Sequence, residues 1–159
     1  MSIIGSAIPG ARVLDLFAGS GALGLEALSR GAASADFVDN LPKCLSAIRD
    51  NATALGAGTR AVIHRADALS FAAGLAPGRF DVAFADPPYG QSIATKIGAL
   101  WLKGPFAAVL GIEHRRDERL PGPNEARRYG DTVVTFYRTE TIEADRAIIS
   151  ADSTTDSGA

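Results

Sequence analysis

Arg12-Val-Leu-Asp-Leu-Phe-Ala-Gly-Ser-Gly-Ala-Leu-Gly24 is the stretch that decides the fold. Its first six residues form a β-favouring run, and Gly19, Gly21 and Gly24 follow at the spacing of a glycine turn that carries a strand into a helix. Glycines there let a ligand approach the backbone closely. Asp39 lies twenty positions after Gly19, at the end of the next apolar run, where an acidic side chain can accept both hydroxyls of a ribose. Two ligands satisfy this geometry, a nicotinamide dinucleotide and S-adenosylmethionine. A tight strand-to-helix turn with a surface acid is the plainer account.

Outward from this turn, apolar β-formers alternate with alanine-rich helical stretches, the order of a parallel sheet covered by helices. The reading is a doubly wound α/β domain. Strands are expected at 12–17, 35–39, 61–64, 80–85 and 107–113. Helices are expected from Gly21 to Ser29 with Leu23, Ala27 and Leu28 inward, from Asn40 and Pro42 to Leu55, from Ala68 to Ala73, and from Ile93 to Leu102 with Ile93, Ile97 and Leu100 on one side. Gly31 and Gly56 supply left-handed stops. The charged stretch from His114 to Glu125, with Pro121 and Pro123, reads as a loop. Thr132 to Arg138 reads as an antiparallel last strand paired with Ala126 to Tyr129 across the Gly130-Asp131 turn. Residues 150–159 have almost nothing to bury and read as a disordered tail, leaving 1–149 as a single domain.

Composition excludes several classes. At 159 residues and 47% hydrophobic content, the chain can bury one ordinary core. A formal net charge of -2 argues against a protein held to nucleic acid by bulk positive charge, although Arg115, Arg116, Arg119, Arg127 and Arg128 gather in the last third. That cluster reads first as a solvated surface and second as a phosphate-binding face. Cys44 is the only cysteine, so neither an intrachain disulfide nor a cysteine-based metal site can form, and a reducing cytoplasm fits. The first ten residues lack a basic start followed by an apolar stretch, and no apolar run approaches membrane-spanning length. His64 and His114 read as structural or exposed and not as metal ligands, and Trp101 with Phe106 as core.

The acid at the end of the first strand separates the two ligands. A pyrophosphate wants bare backbone N–H groups and a helix dipole, and a neighbouring carboxylate repels it. A methionine moiety carries an ammonium and a sulfonium, which Asp15 would attract. The methyl donor is therefore favoured, held by Asp15, Phe17, Ala18, Gly19 and Gly21 along the turn, by Asp39 and Asn40, and by Asp67 and Ala68, which can bind the adenine edge. Asp67 also reads as a helix N-cap, and both roles are compatible.

Asp86-Pro87-Pro88-Tyr89, at the end of the run Phe80 to Ala85, looks like the acceptor half of such a site. An acid at a strand end can accept one hydrogen from a planar NH2 group. Pro87 and Pro88 stiffen the backbone so that a carbonyl accepts the other, and Tyr89 supplies a ring for stacking. Asp86, Pro87, Pro88 and Tyr89 are thus the candidate catalytic residues; a mere turn after a strand is the bland alternative.

With these residues in place, the chain resembles the bacterial small-subunit ribosomal RNA guanine-N2 methyltransferases of the RsmD type. The resemblance rests on the segment from Asp15 to Ala32, then Phe37-Val-Asp39, Asn51, Phe80-Asp81, Asp86-Pro-Pro-Tyr89, Glu113 and Arg128-Tyr-Gly-Asp131, and spans roughly residues 11 to 138. It implies a seven-stranded Rossmann-like class I methyltransferase sheet with the last strand antiparallel. It also implies S-adenosylmethionine as cofactor and ribosomal RNA or the small ribosomal subunit as partner; a monomer is expected, and the cysteine usage and the first ten residues set the expectation of a cytoplasmic location. The family is expected to carry an Arg-Pro-Thr segment ahead of the first sheet strand, whereas this chain begins about ten residues before it. The alternatives are an enzyme acting on DNA adenine N6 or a protein glutamine, a nicotinamide-dependent oxidoreductase, and a form that binds cofactor without activity.

Overall fold

The computed structural model describes residues 5–140. Seven strands form one sheet: β1 (Arg12–Leu16), β2 (Ser34–Asp39), β3 (Ala61–Arg65), β4 (Phe80–Ala85), β5 (Ala107–Arg115), β6 (Glu125–Tyr129) and β7 (Thr132–Arg138). Four helices connect them: α1 (Ala22–Ser29), α2 (Pro42–Leu55), α3 (Ala68–Ala73) and α4 (Ile93–Lys103). The spatial order is β3-β2-β1-β4-β5-β7-β6. The strands β1 to β5 pair in parallel, and β7 runs against both β5 and β6. This is the Rossmann-like class I methyltransferase sheet, with its last strand antiparallel.

Apolar residues are packed on both faces, as a parallel sheet requires. On one side Ile8, Val13, Phe37, Ile48 and Val82 pack with α1 and α2. On the other, Leu14, Leu16, Ile97, Trp101, Leu110 and Tyr137 pack with α3 and α4. Trp101 and Phe106 are both fully buried, and Trp101 Nε1 donates to the Ala107 carbonyl at 2.8 Å.

Three local expectations shift. Leu23 is 37% exposed, and Gly24 takes its place on the inner stripe with Ala27 and Leu28. The reason is Phe37: its ring lies so close to Gly24 that a Cβ there would overlap it, so the helix rests on the ring through a bare backbone. In α4 the buried stripe is Ala94, Ile97, Gly98 and Trp101, with Ile93 and Leu100 only partly covered, because burial of the indole sets the rotation of the helix. Finally, β5 runs on through His114 and Arg115, which pair with Val133 and Thr132. A ladder needs only backbone groups, and the Arg115 side chain stays in solvent, so charge did not end the strand. The loop is confined to 116–124. The tail expected at 150–159 lies outside the described residues.

Candidate active site

The strand order reverses between β1 and β4, and the crevice at the carboxyl ends of these strands is where ligands enter such sheets. Leu16 pairs with Ala85. The glycine turn after β1 and Asp86 after β4 therefore leave the sheet side by side.

The turn is built by left-handed residues: Phe17 at φ 57°, Gly19 at 59° and Gly21 at 82°. It is laced to the end of β2, with Ala18 N–H donating to the Val38 carbonyl at 3.1 Å and Gly19 N–H to Asp39 Oδ2 at 3.0 Å. Asp39 Oδ1 accepts from the Leu41 N–H at 3.0 Å, so one carboxylate ties the turn to the start of α2. Asn40 is exposed, and Leu41 occupies the N-cap position of α2 without a side-chain cap, a correction to the helix start expected at Asn40. Asn51 Nδ2 donates to the Ser20 carbonyl at 3.1 Å, which gives this residue a part in holding the turn.

Asp15 is 2% exposed, deeper than a purely ligand-facing acid. Its Oδ2 accepts from the Gly24 N–H at 3.1 Å, satisfying a donor in the first turn of α1. Burial pushes its carboxyl up to about 7 against that hydrogen bond, and the charges of Asp86 and Asp39 push in the same direction. Asp86 opens to solvent, yet partial desolvation raises its carboxyl as well. Glu113, two residues before the end of β5, is raised by desolvation and then by Asp86. Nothing local in the sequence gives Glu113 a role; the pairing of Ala85 with Ile112 is what brings it beside Asp86.

Pro87 is buried, while Pro88 and Tyr89 are exposed, Tyr89 by 46%. The Arg115 guanidinium carbon sits 5.4 Å from the Tyr89 ring centroid. Asp67 caps α3, its Oδ2 accepting from Ser70 N–H at 2.9 Å and from Ser70 Oγ at 3.0 Å; Ala68 behind it is buried. The histidines lie apart from the crevice. His64 pairs with Asp36 at 2.7 Å, and His114 contacts Thr135 Oγ1 at 2.6 Å and the Arg115 carbonyl at 2.9 Å.

The donor set fits a cationic ligand. Among the described residues, the ion pairs join Arg12 to Asp81, Arg30 to Glu26, His64 to Asp36 and Arg127 to Glu125, and none neutralises Asp15, Asp39, Asp86 or Glu113. These mutually destabilising carboxylates would repel a pyrophosphate and welcome an ammonium and a sulfonium. A Cβ built on Gly19 would project into open space, leaving a cradle in front of the turn.

Comparison with known proteins agrees with this fold. Residues 1–138 match the family model described as "Conserved hypothetical protein 95". The chain is 37% identical over 145 residues to the "Putative rRNA methyltransferase YlbH" of Bacillus subtilis (strain 168), covering 87% of this chain and 75% of that one. It is 38% identical over 114 residues to the "Ribosomal RNA small subunit methyltransferase D" of Escherichia coli (strain K12), covering 70% of this chain and 57% of that protein's length. The solved structure "Putative methyltransferase yhhF from Escherichia coli" superposes with a TM-score of 0.73 at 28% identity, over 86% of this chain and 79% of that one. These relatives favour the methyl donor over a nicotinamide dinucleotide. Among the described residues no helix is long and apolar enough to cross a membrane. By sequence and by fold, the chain belongs to the Conserved hypothetical protein 95 family, the RsmD-type methyltransferases that use S-adenosylmethionine.

Proposed function

We propose that this protein methylates the exocyclic N2 amine of a guanine in small-subunit ribosomal RNA. The observation that carries this reading is the placement of Asp86-Pro87-Pro88-Tyr89 directly beside the glycine turn, through the pairing of Leu16 with Ala85. S-adenosylmethionine supplies an electrophilic methyl group when bound. The residues that hold it are Phe17, Ala18, Gly19 and Gly21 at the turn, Asp39 and Asn40 at the ribose, Asp67 and Ala68 at the adenine, and Asp15 beneath the charged end.

An aromatic amine is a weak nucleophile because its lone pair is delocalised into the ring. Asp86 and the Pro87 carbonyl each accept one N–H, which localises the lone pair and fixes its direction. Pro87 and Pro88 hold that carbonyl still, and Tyr89 stacks on a base taken out of its helix. Methylation makes the nitrogen acidic, and Asp86 accepts the proton on a carboxylate oxygen. Desolvation, which raises the proton affinity of Asp86, favours this transfer. Choosing guanine in ribosomal RNA over adenine in DNA rests on the kinship to ribosomal RNA methyltransferases.

The test is methyl incorporation from a labelled donor into naked ribosomal RNA and into immature small subunits. Asp86→Ala is expected to abolish transfer, with S-adenosylhomocysteine binding kept within about threefold of wild type. Full turnover by this variant would sink the pocket assignment. Transfer to DNA adenine in preference to either RNA substrate would sink the choice of target.

A further inference from the structure

A row of side chains leads away from the acceptor pocket across the sheet. Glu113 pairs with Val134, and Val134 with Arg127; two residues further along, Arg115 pairs with Thr132, and Thr132 with Tyr129. Directly paired residues point to the same side of a sheet, and so do residues two apart in a strand. Glu113, Arg115, Arg127 and Tyr129 therefore share one face, the face on which Asp86 stands beside Glu113. Strands are spaced ~4.8 Å apart, so β6 lies about 14 Å from β4, within the reach of a few nucleotides.

The chemistry of this strip suits one occupant. Tyr129 is 53% exposed on an edge strand that is exposed throughout, and Tyr89 is also exposed under the Arg115 guanidinium. Among the described residues Arg115 has no carboxylate partner, and the ion pair of Arg127 with Glu125 is half exposed. The pocket itself is acidic and would repel phosphates, so in a chain of net charge -2 backbone contacts must be made to one side of it. Exposed aromatic rings alternating with arginines match an unpaired strand, whose bases are free to stack. Arginines also discourage edge-to-edge pairing of sheets, and that is the plainer use of this edge.

We propose that Arg115, Arg127 and Tyr129, continuing from Tyr89, form a track for the single-stranded RNA that flanks the methylated nucleotide. The track rests on the RNA reading above, and its test is independent of methyl transfer. A short labelled single-stranded RNA of mixed sequence is titrated with the full chain saturated with S-adenosylhomocysteine, and anisotropy is followed at several salt concentrations. Tyr129→Ala is expected to weaken binding about tenfold with the salt slope unchanged, and Tyr129→Phe to bind as wild type. Arg115→Ala and Arg127→Ala are each expected to weaken binding several-fold and to lower the salt slope by about 0.7. Lys96→Ala with Lys103→Ala, on α4, serves as the control and should bind as wild type.

Unaltered binding by the three track variants would overturn the proposal. So would an equal loss in the lysine control, or a duplex RNA that competes as well as the single strand. Sedimentation showing a dimer that Arg127→Ala or Tyr129→Ala dissociates would assign the edge to a second copy instead. If binding behaves as expected and no RNA is methylated, the proposed activity fails and the track stands.

Discussion

At the scale of single residues, the acids of the crevice carry more structural duty than their positions in the chain announce. Asp39 was legible in the sequence as an acid at a strand end. Its two hydrogen bonds at 3.0 Å, to the N–H groups of Gly19 and Leu41, were not, because they depend on how the turn folds back over β2. Hydrogen bonds to a charged group contribute about 1.5–3 kcal/mol each, so loss of this carboxylate both frees the turn and removes the proposed ribose acceptor. Asp39→Ala should therefore weaken S-adenosylhomocysteine binding by about tenfold or more in calorimetry. Gly19→Arg should do the same for a different reason, since φ of 59° strains a side-chain-bearing residue and the new side chain fills the cradle. Unchanged dissociation constants in both variants would remove the cofactor assignment.

At the scale of elements, strand and helix existence was readable, and rotation about a helix axis was not. The alternation of apolar runs with alanine-rich segments located β1 to β5 and the four helices, because burial on both sheet faces leaves a periodic trace in the chain, whereas β6 and β7 were legible from the Gly130-Asp131 turn between them. Which stripe of α1 turns inward depends instead on the Phe37 ring of β2, a partner far away in sequence. Gly24→Ala is expected to cost about 1–3 kcal/mol by forcing α1 off that ring. Leu23→Ala, one position earlier on the exposed side, should stay within about 0.5 kcal/mol of wild type. Urea denaturation of both variants checks the contrast, and equal losses would mean that the helix is rotated differently. Similarly, β5 outran its expected end because the backbone of β7 was there to receive it.

At the scale of the whole molecule, the sheet gathers Asp15, Asp39, Asp86 and Glu113 near the carboxyl ends of four neighbouring strands, and this has a cost in stability. The Asp15 carboxyl titrates near 7 in the folded protein and in the ordinary carboxylate range when unfolded. Between those values the folded state holds a proton that the unfolded state has released, so the ligand-free protein should lose stability as pH rises from about 4 to 7. Asp86 and Glu113, also raised, act in the same direction. Asp81, lowered by exposed Arg12, acts in the opposite direction on acidification, but solvent screens that pair. Asp15→Asn should thus melt several degrees higher than wild type at pH 8 without ligand, and bind S-adenosylmethionine more weakly. A melting temperature that falls on this substitution would show that the ionised form is the one the fold accommodates.

The sequence alone determined the alternating architecture, the glycine turn, the acid at the end of β2 and the proline-stiffened tetrapeptide. Each of these is written in local spacing, where backbone conformation and burial periodicity leave their mark. Only the tertiary structure decided that the turn and the tetrapeptide share one crevice, that Asp15 is buried beneath it, and that Glu113 stands next to Asp86. Those relations follow from strand order and register, and register is set by packing across the sheet between residues that the chain keeps far apart.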